Sequence, residues 1–169
     1  MRNVRSLVAL FAALLFVSCA PVEAPAQPTD ASPVVITLSR TVCFGFCPDY
    51  TVTITGEGQV RYVGRHFVNV VGERTATIPA ADVQGLLARF DEIGFEQLQD
   101  AYRAPVTDLP TITILLERGG RRKVVADYGG VSAGMPRAVR DLQAEIDRVA
   151  GTAQWVLRDG QPVQTRPEY

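Results

Sequence analysis

The chain has 169 residues, with 17 basic and 18 acidic side chains, three cysteines and a single histidine. That near-neutral balance gives no basic excess to hold nucleic acid and no basic stripe for anionic lipid. The part that can fold is one domain's worth, long enough to bury a core, and no internal repeat divides it.

The N-terminus reads MRNVRSLVALFAALLFVSCA. Arg2 and Arg5 precede an unbroken apolar run over residues 7–17. A membrane-spanning helix needs about 20 apolar residues, so the run is too short to span and fits the core of a signal peptide. Val17-Ser18-Cys19 closes it and resembles a bacterial lipobox, in which the cysteine becomes the first mature residue and carries lipid. Phe16 stands where that pattern usually has Leu. The other expectation is an ordinary cut in the small-x-small stretch Ser18-Cys19-Ala20, which would release a soluble periplasmic protein. With residues 1–18 removed, 15 basic and 18 acidic residues remain.

Residues 19–33 follow as a tether. Pro21, Pro25, Pro28 and Pro33 alternate with Ala and small polar residues, a composition that cannot build a core. The fourteen residues after Cys19 extend to roughly 40 Å at about 3.1 Å each.

The folded part begins with period-two alternation. Val34, Ile36 and Leu38 interleave with Val35, Thr37 and Ser39, then Tyr50, Val52 and Ile54 interleave with Thr51, Thr53 and Thr55. Such patterns predict half-buried antiparallel strands. Between them lies TVCFGFCPDY. Once Cys19 is set aside for lipid, Cys43 and Cys47 are an even pair in an oxidising compartment. An extended strand would hold them roughly 13 Å apart, so the segment must turn, with Gly45 as the flexible point and Pro48 ending it. A disulfide staple is the expectation. A zinc site would have only His66 to add to the two thiolates. A redox pair is usually C-x-x-C at a helix N-terminus, not C-x-x-x-C between strands.

Gly56-Glu57-Gly58 is a turn. Residues 59–63 predict a third strand, 66–71 a fourth, and 75–78 a short extended piece. Pro79 opens a helix whose Val83, Leu86, Leu87, Phe90 and Ile93 share one face, with Gly94 at its end. Residues 100–110 read as irregular. Residues 111–117 and 121–127 form a hairpin across Gly119-Gly120. A second helix starts at Ser132 or Gly134, carries Val139, Leu142, Ile146 and Val149 on one face, and closes at Gly151. Trp155 and Val156 pack back on the domain. The order predicts an α+β domain over residues 34–157: a mostly antiparallel sheet of about six strands with two helices on one face, the Thr-rich face being wet. Residues 158–169 are left as a C-terminal tail.

The run Thr41-x-Cys43-Phe44-Gly45-x-Cys47-Pro48-x-Tyr50, then Thr107-Asp108-Leu109-Pro110-Thr111, Asp127-Tyr128 and Gly151-Thr152 with Trp155 resembles the bacterial domain of unknown function 6438 family. The resemblance covers roughly residues 34–157. It implies a short secreted or lipoprotein module and a coupling of Cys43 with Cys47, and it supplies no catalytic residue.

The usual enzymatic signatures are missing: no G-x-S-x-G, P-loop, G-x-G-x-x-G or H-E-x-x-H occurs. No catalytic set, metal or cofactor is expected, and His66 reads as a strand histidine. One ligand-binding possibility stands out. If the segment holding Asp108 folds near the open end of the following hairpin, its carboxylate could approach Asp127, with Tyr128 alongside, and bind a cation or a small ligand. The plainer reading has Asp108 capping a turn and Asp127 a strand end. The expected protein is therefore a non-catalytic envelope lipoprotein, held to a membrane at Cys19 and contacting another envelope protein or wall component. A periplasmic thiol-redox or small-ligand protein is the alternative.

Overall fold

The computed structural model describes residues 33–164. The expected signal peptide, Cys19 and nearly all of the expected tether lie outside them. Seven strands form one sheet in the order β4-β3-β2-β1-β6-β7-β5. The strands are β1 (Val35–Arg40), β2 (Asp49–Thr55), β3 (Gln59–His66), β4 (Gly72–Thr77), β5 (Ala101–Arg103), β6 (Ile112–Arg118) and β7 (Arg121–Tyr128). All pairs are antiparallel except β5 with β7. The fold is α+β, as the alternation predicts.

The alternation also assigns the two faces. Ile36, Leu38, Val52, Ile54, Tyr62, Ile114 and Leu116 are buried on one side. Thr37 lies opposite Thr53 and Ser39 opposite Thr51, partly exposed on the other side, with hydroxyls 3.3 Å apart in both pairs. The apolar face is covered by α1 (Ala80–Glu92) and α2 (Arg137–Ala150). Val83, Leu86 and Phe90 of α1 and Val139, Leu142 and Ile146 of α2 join the sheet residues in one core. Gly94, at φ 62, lets the chain leave α1 in the left-handed conformation that glycine adopts without cost.

Four details depart from the sequence reading. Residues 66–71 are not a strand. β3 runs on through His66, then Phe67 takes a left-handed backbone at φ 54. The next N–H groups leave the sheet: those of Asn69 and Val70 donate to Val156 and Trp155 carbonyls at 3.1 and 2.8 Å. The fourth strand is therefore β4, and it absorbs the piece expected at 75–78. Second, the segment read as irregular contains β5, which puts Tyr102 under the sheet edge at 6 % exposure. Third, α2 starts behind Pro136, later than expected, because residues Gly130–Ala133 form a 3-10 turn instead. Finally, the chain beyond 157 is not all tail. After the short helix α3 (Ala153–Val156), β8 (Leu157–Arg158) and β9 (Gln161–Pro162) make a small hairpin, and Val163 is buried. No helix among the described residues is long and apolar enough to cross a membrane.

Trp155 packs back as expected, with its ring 5.0 Å from that of Tyr62. The Tyr62 hydroxyl donates to the Val70 carbonyl at 3.2 Å, and that line crosses directly over Gly64. A Cβ on Gly64 would sit 2.2 Å from the Val70 oxygen and 2.4 Å from the Tyr62 hydroxyl. Gly64→Ala is expected to lower stability by about 2 kcal/mol or more through overpacking. Gly85→Ala, on the exposed side of α1 with nothing within 4 Å, is expected to raise it by about 1 kcal/mol. Urea unfolding of the two variants checks both signs.

Candidate functional site

The register of β1 decides where the loops emerge. Arg40 lies opposite Tyr50 on β2 and Ile112 on β6, and Asp49 lies opposite His66 on β3. Arg103 at the end of β5 pairs with Tyr128 at the end of β7. The loops over residues 41–48, 67–71 and 104–110 therefore leave the same end of the sheet. Pro33 and the turns at Gly56-Glu57-Gly58 and Gly119-Gly120 lie at the other end.

The 41–48 loop is clamped twice. Cys43 and Cys47 form a disulfide with Cα atoms 5.5 Å apart. The backbone then holds it to the neighbouring loop. Thr41 N–H donates to the Thr111 carbonyl at 3.1 Å, Thr111 N–H to Thr41 Oγ1 at 2.9 Å, and Phe44 N–H to the Asp108 carbonyl at 3.1 Å. Two of the motifs carrying the family resemblance thus meet in space. Phe46 stacks edge-on against Phe67 with ring centres 5.5 Å apart, tying in the third loop.

These clamped loops face outward. Among the described residues, the large hydrophobic side chains that are exposed are Val42, Phe44, Phe46, Val71, Val106 and Leu109. All six sit on the three loops. Phe44 is 89 % exposed and Phe46 54 %. Scattered single apolar residues on a surface need no explanation, but here the large exposed ones are confined to one end of the sheet. We call this cluster the apolar rim.

The residues singled out in the sequence as a ligand site do not converge. Asp127 is 2 % exposed and points under α2. Its Oδ1 accepts the Gly130 N–H at 2.7 Å, its Oδ2 accepts Gln143 Nε2 at 3.1 Å, and Arg140 Nε stands 3.5 Å away. Asp108 is exposed at φ 70, and its Oδ2 accepts the Thr107 hydroxyl at 2.9 Å. Tyr128 lies on the open face of the sheet, under the Arg103 guanidinium at 4.4 Å. The Asp108 segment does reach the end of β7: a Cβ on Gly129 would touch Val106 and Leu109. What it brings there is apolar contact. Among the described residues no three His, Cys, Asp or Glu side chains are grouped to hold a metal ion.

Two polar clusters went unread in the sequence. Asp49 accepts from Arg65 Nε at 2.6 Å and lies 3.0 Å from His66 Nδ1, bracing the base of the cysteine loop. Asp147, on α2, accepts from the Tyr50 hydroxyl at 2.6 Å, from Arg40 at 2.7 Å and from Thr152 at 2.8 Å. It joins α2 to the two central strands. These partners lie 97 and 107 residues apart in the chain, so no local pattern announces them. For the rim the signal was visible: Val106 and Leu109 stand between Pro105 and Pro110 in a segment with no periodicity.

Burial and the Asp147 charge hold the Tyr50 hydroxyl well above the ordinary tyrosine value, and burial does the same for Tyr62. An unfolded tyrosine ionises near pH 10. Folded Tyr50 and Tyr62 stay protonated beyond that, so stability is full below pH 10 and falls as pH rises above it. Absorbance at 295 nm through that range should lack the step for these two tyrosines until the fold is lost. Replacing Cys43 and Cys47 together by Ser is expected to cost about 2 kcal/mol, the value for so short a loop, measured by the same unfolding curves.

Comparison with known sequences places this geometry in context. None of the curated proteins compared matches the chain. One family covers residues 34–150, and it spans β1 through α2, including the cysteine loop, the Asp108 loop and the Asp127 turn. The chain belongs to that family, the domain of unknown function (DUF6438).

Proposed function

We propose that this protein is a non-catalytic contact module of the bacterial envelope, lipid-anchored at Cys19, with the apolar rim as its working surface. The observation that carries this reading is that, among the described residues, the exposed large hydrophobics are confined to three loops at one end, one of them locked by a disulfide. A rigid loop loses little conformational freedom on binding, so its apolar contacts are retained as affinity. The N-terminal apolar run and Ser18-Cys19 support the anchor. Two or three acyl chains make such anchoring durable.

The cysteine pair fits a staple better than a redox couple. The loop joins β1 to β2, so no helix begins at either cysteine to favour a thiolate. A cation or metabolite site at Asp108 and Asp127 is not favoured either, because each carboxylate already has its own partners.

Two measurements in intact cells test the reading. Labelled palmitate should enter the native chain and not Cys19→Ser; equal labelling of both would remove the anchor. A photo-crosslinking residue at position 44 should give adducts with envelope material, while one at position 57, in the far turn, should not. Equal yields at the two positions would show that the rim is not the contact surface.

A further inference from the structure

We propose that the apolar rim docks on a lipid bilayer, setting Phe44, Phe46, Val106 and Leu109 among the headgroups and upper acyl chains. The inference rests on reading the rim as the contact surface and names what it contacts.

Charge is the first argument. Loops 41–48, 67–71 and 104–110 together hold one ionisable side chain, Asp108, since both cysteines are bonded to each other. Loops are ordinarily the polar part of a fold, because water must satisfy their backbone. Three loops at one end that are nearly free of charge suit a medium in which charges are costly.

The second argument is the layer behind the tips. Arg103 lies over Tyr128 on the open face, and Arg65 lies beside Asp49 at the base of the cysteine loop. Arg140 stands at the edge of the Asp127 pocket, 53 % exposed. Neither Arg103 nor Tyr128 has a carboxylate partner among the described residues. Arginine and tyrosine behind apolar tips match the headgroup layer, where an apolar body and a polar end are both accommodated. The sequence showed no basic stripe because these arginines come from distant parts of the chain and only the sheet places them at one end.

Shape and reach complete the case. The tips project from three separate loops, and a fluid bilayer accepts a projecting set without a matching pocket. β1 has six residues and spans about 20 Å, and the fourteen residues after Cys19 could reach roughly 40 Å if fully extended. The tether is therefore long enough for the domain to turn its rim onto the membrane that holds Cys19, although the chain joins the domain at the opposite end.

The test uses residues 20–169, which include every described residue, mixed with vesicles of phosphatidylethanolamine and phosphatidylglycerol. The unsubstituted chain should sediment with the vesicles. Phe44→Ser should weaken that partition about tenfold, the loss expected for one aromatic anchor. Phe44 is so exposed that the change leaves the core intact. In Phe44→Trp, emission should shift to the blue and be quenched by lipids brominated on their acyl chains, whereas Glu57→Trp should respond to neither. Absence of sedimentation, or a Phe44→Ser partition equal to that of the unsubstituted chain, overturns the proposal. A protein adduct at position 44 in cells without vesicle binding overturns the bilayer while leaving the rim as the contact surface. No adduct at that position overturns both.

Discussion

The pairing of β1 with both β2 and β6 is the constraint on which the rest of the structure depends. Ile36 and Leu38 are wholly buried at the centre of the sheet, opposite Ile54 and Val52 on one side and Leu116 and Ile114 on the other. A slip of one residue would turn these side chains to the open face and bring Thr37 and Ser39 into the core. Each fully buried aliphatic side chain contributes on the order of 1.5–3 kcal/mol, so the central strand alone strongly disfavours that one-residue slip. That register then sends the cysteine loop, the Phe67 loop and the Asp108 loop out of the same end. The apolar rim is thus a consequence of strand pairing before it is a consequence of any loop sequence.

Local and long-range forces divide the work. The disulfide closes a loop too short to stabilise the whole domain much, and its effect is local, fixing the loop that carries Phe44 and Phe46. The two backbone bonds from Thr41 and Phe44 to Thr111 and Asp108 continue the β1–β6 ladder past the last regular pair. The Asp147 cluster works on another scale. It ties the C-terminal turn of α2 to Arg40 and Tyr50 at the strand ends from which the cysteine loop springs. Its groups are largely shielded from water, so each needs the others: an uncompensated charge there would be far costlier than an exposed pair such as Arg61 with Glu73.

Much of the architecture was readable from residue order. Period-two runs located β1 and β2, the Gly119-Gly120 turn located β6 and β7, and helical spacing located both main helices, because each signal is set by residues a few positions apart. Where the reading failed, the deciding partner was remote. Residues 67–71 have the apolar, β-branched look of a strand, yet Asn69 and Val70 give their N–H groups to α3 residues almost ninety positions away. β5 is only three residues long and exists because β7 offers it a parallel edge. The loops of Asp108 and Asp127 do meet, but the sheet turns Asp127 inward beneath α2, where it accepts the Gly130 N–H as the plainer capping reading has it, and leaves Asp108 outside.

The sequence by itself determined the types of the main strands and of the two long helices, the two faces of the sheet, the turn that brings Cys43 to Cys47 and the family, since all of these follow from short-range periodicity, turn chemistry and motif. Only the tertiary structure decided which loops share an end, which carboxylates are enclosed and which hydrophobic side chains stay exposed. The physical reason is that exposure and proximity are properties of the packed sheet. Phe44 and Phe90 are the same residue in the sequence, and only the packed sheet and helices decide that one is 89 % exposed and the other 1 %.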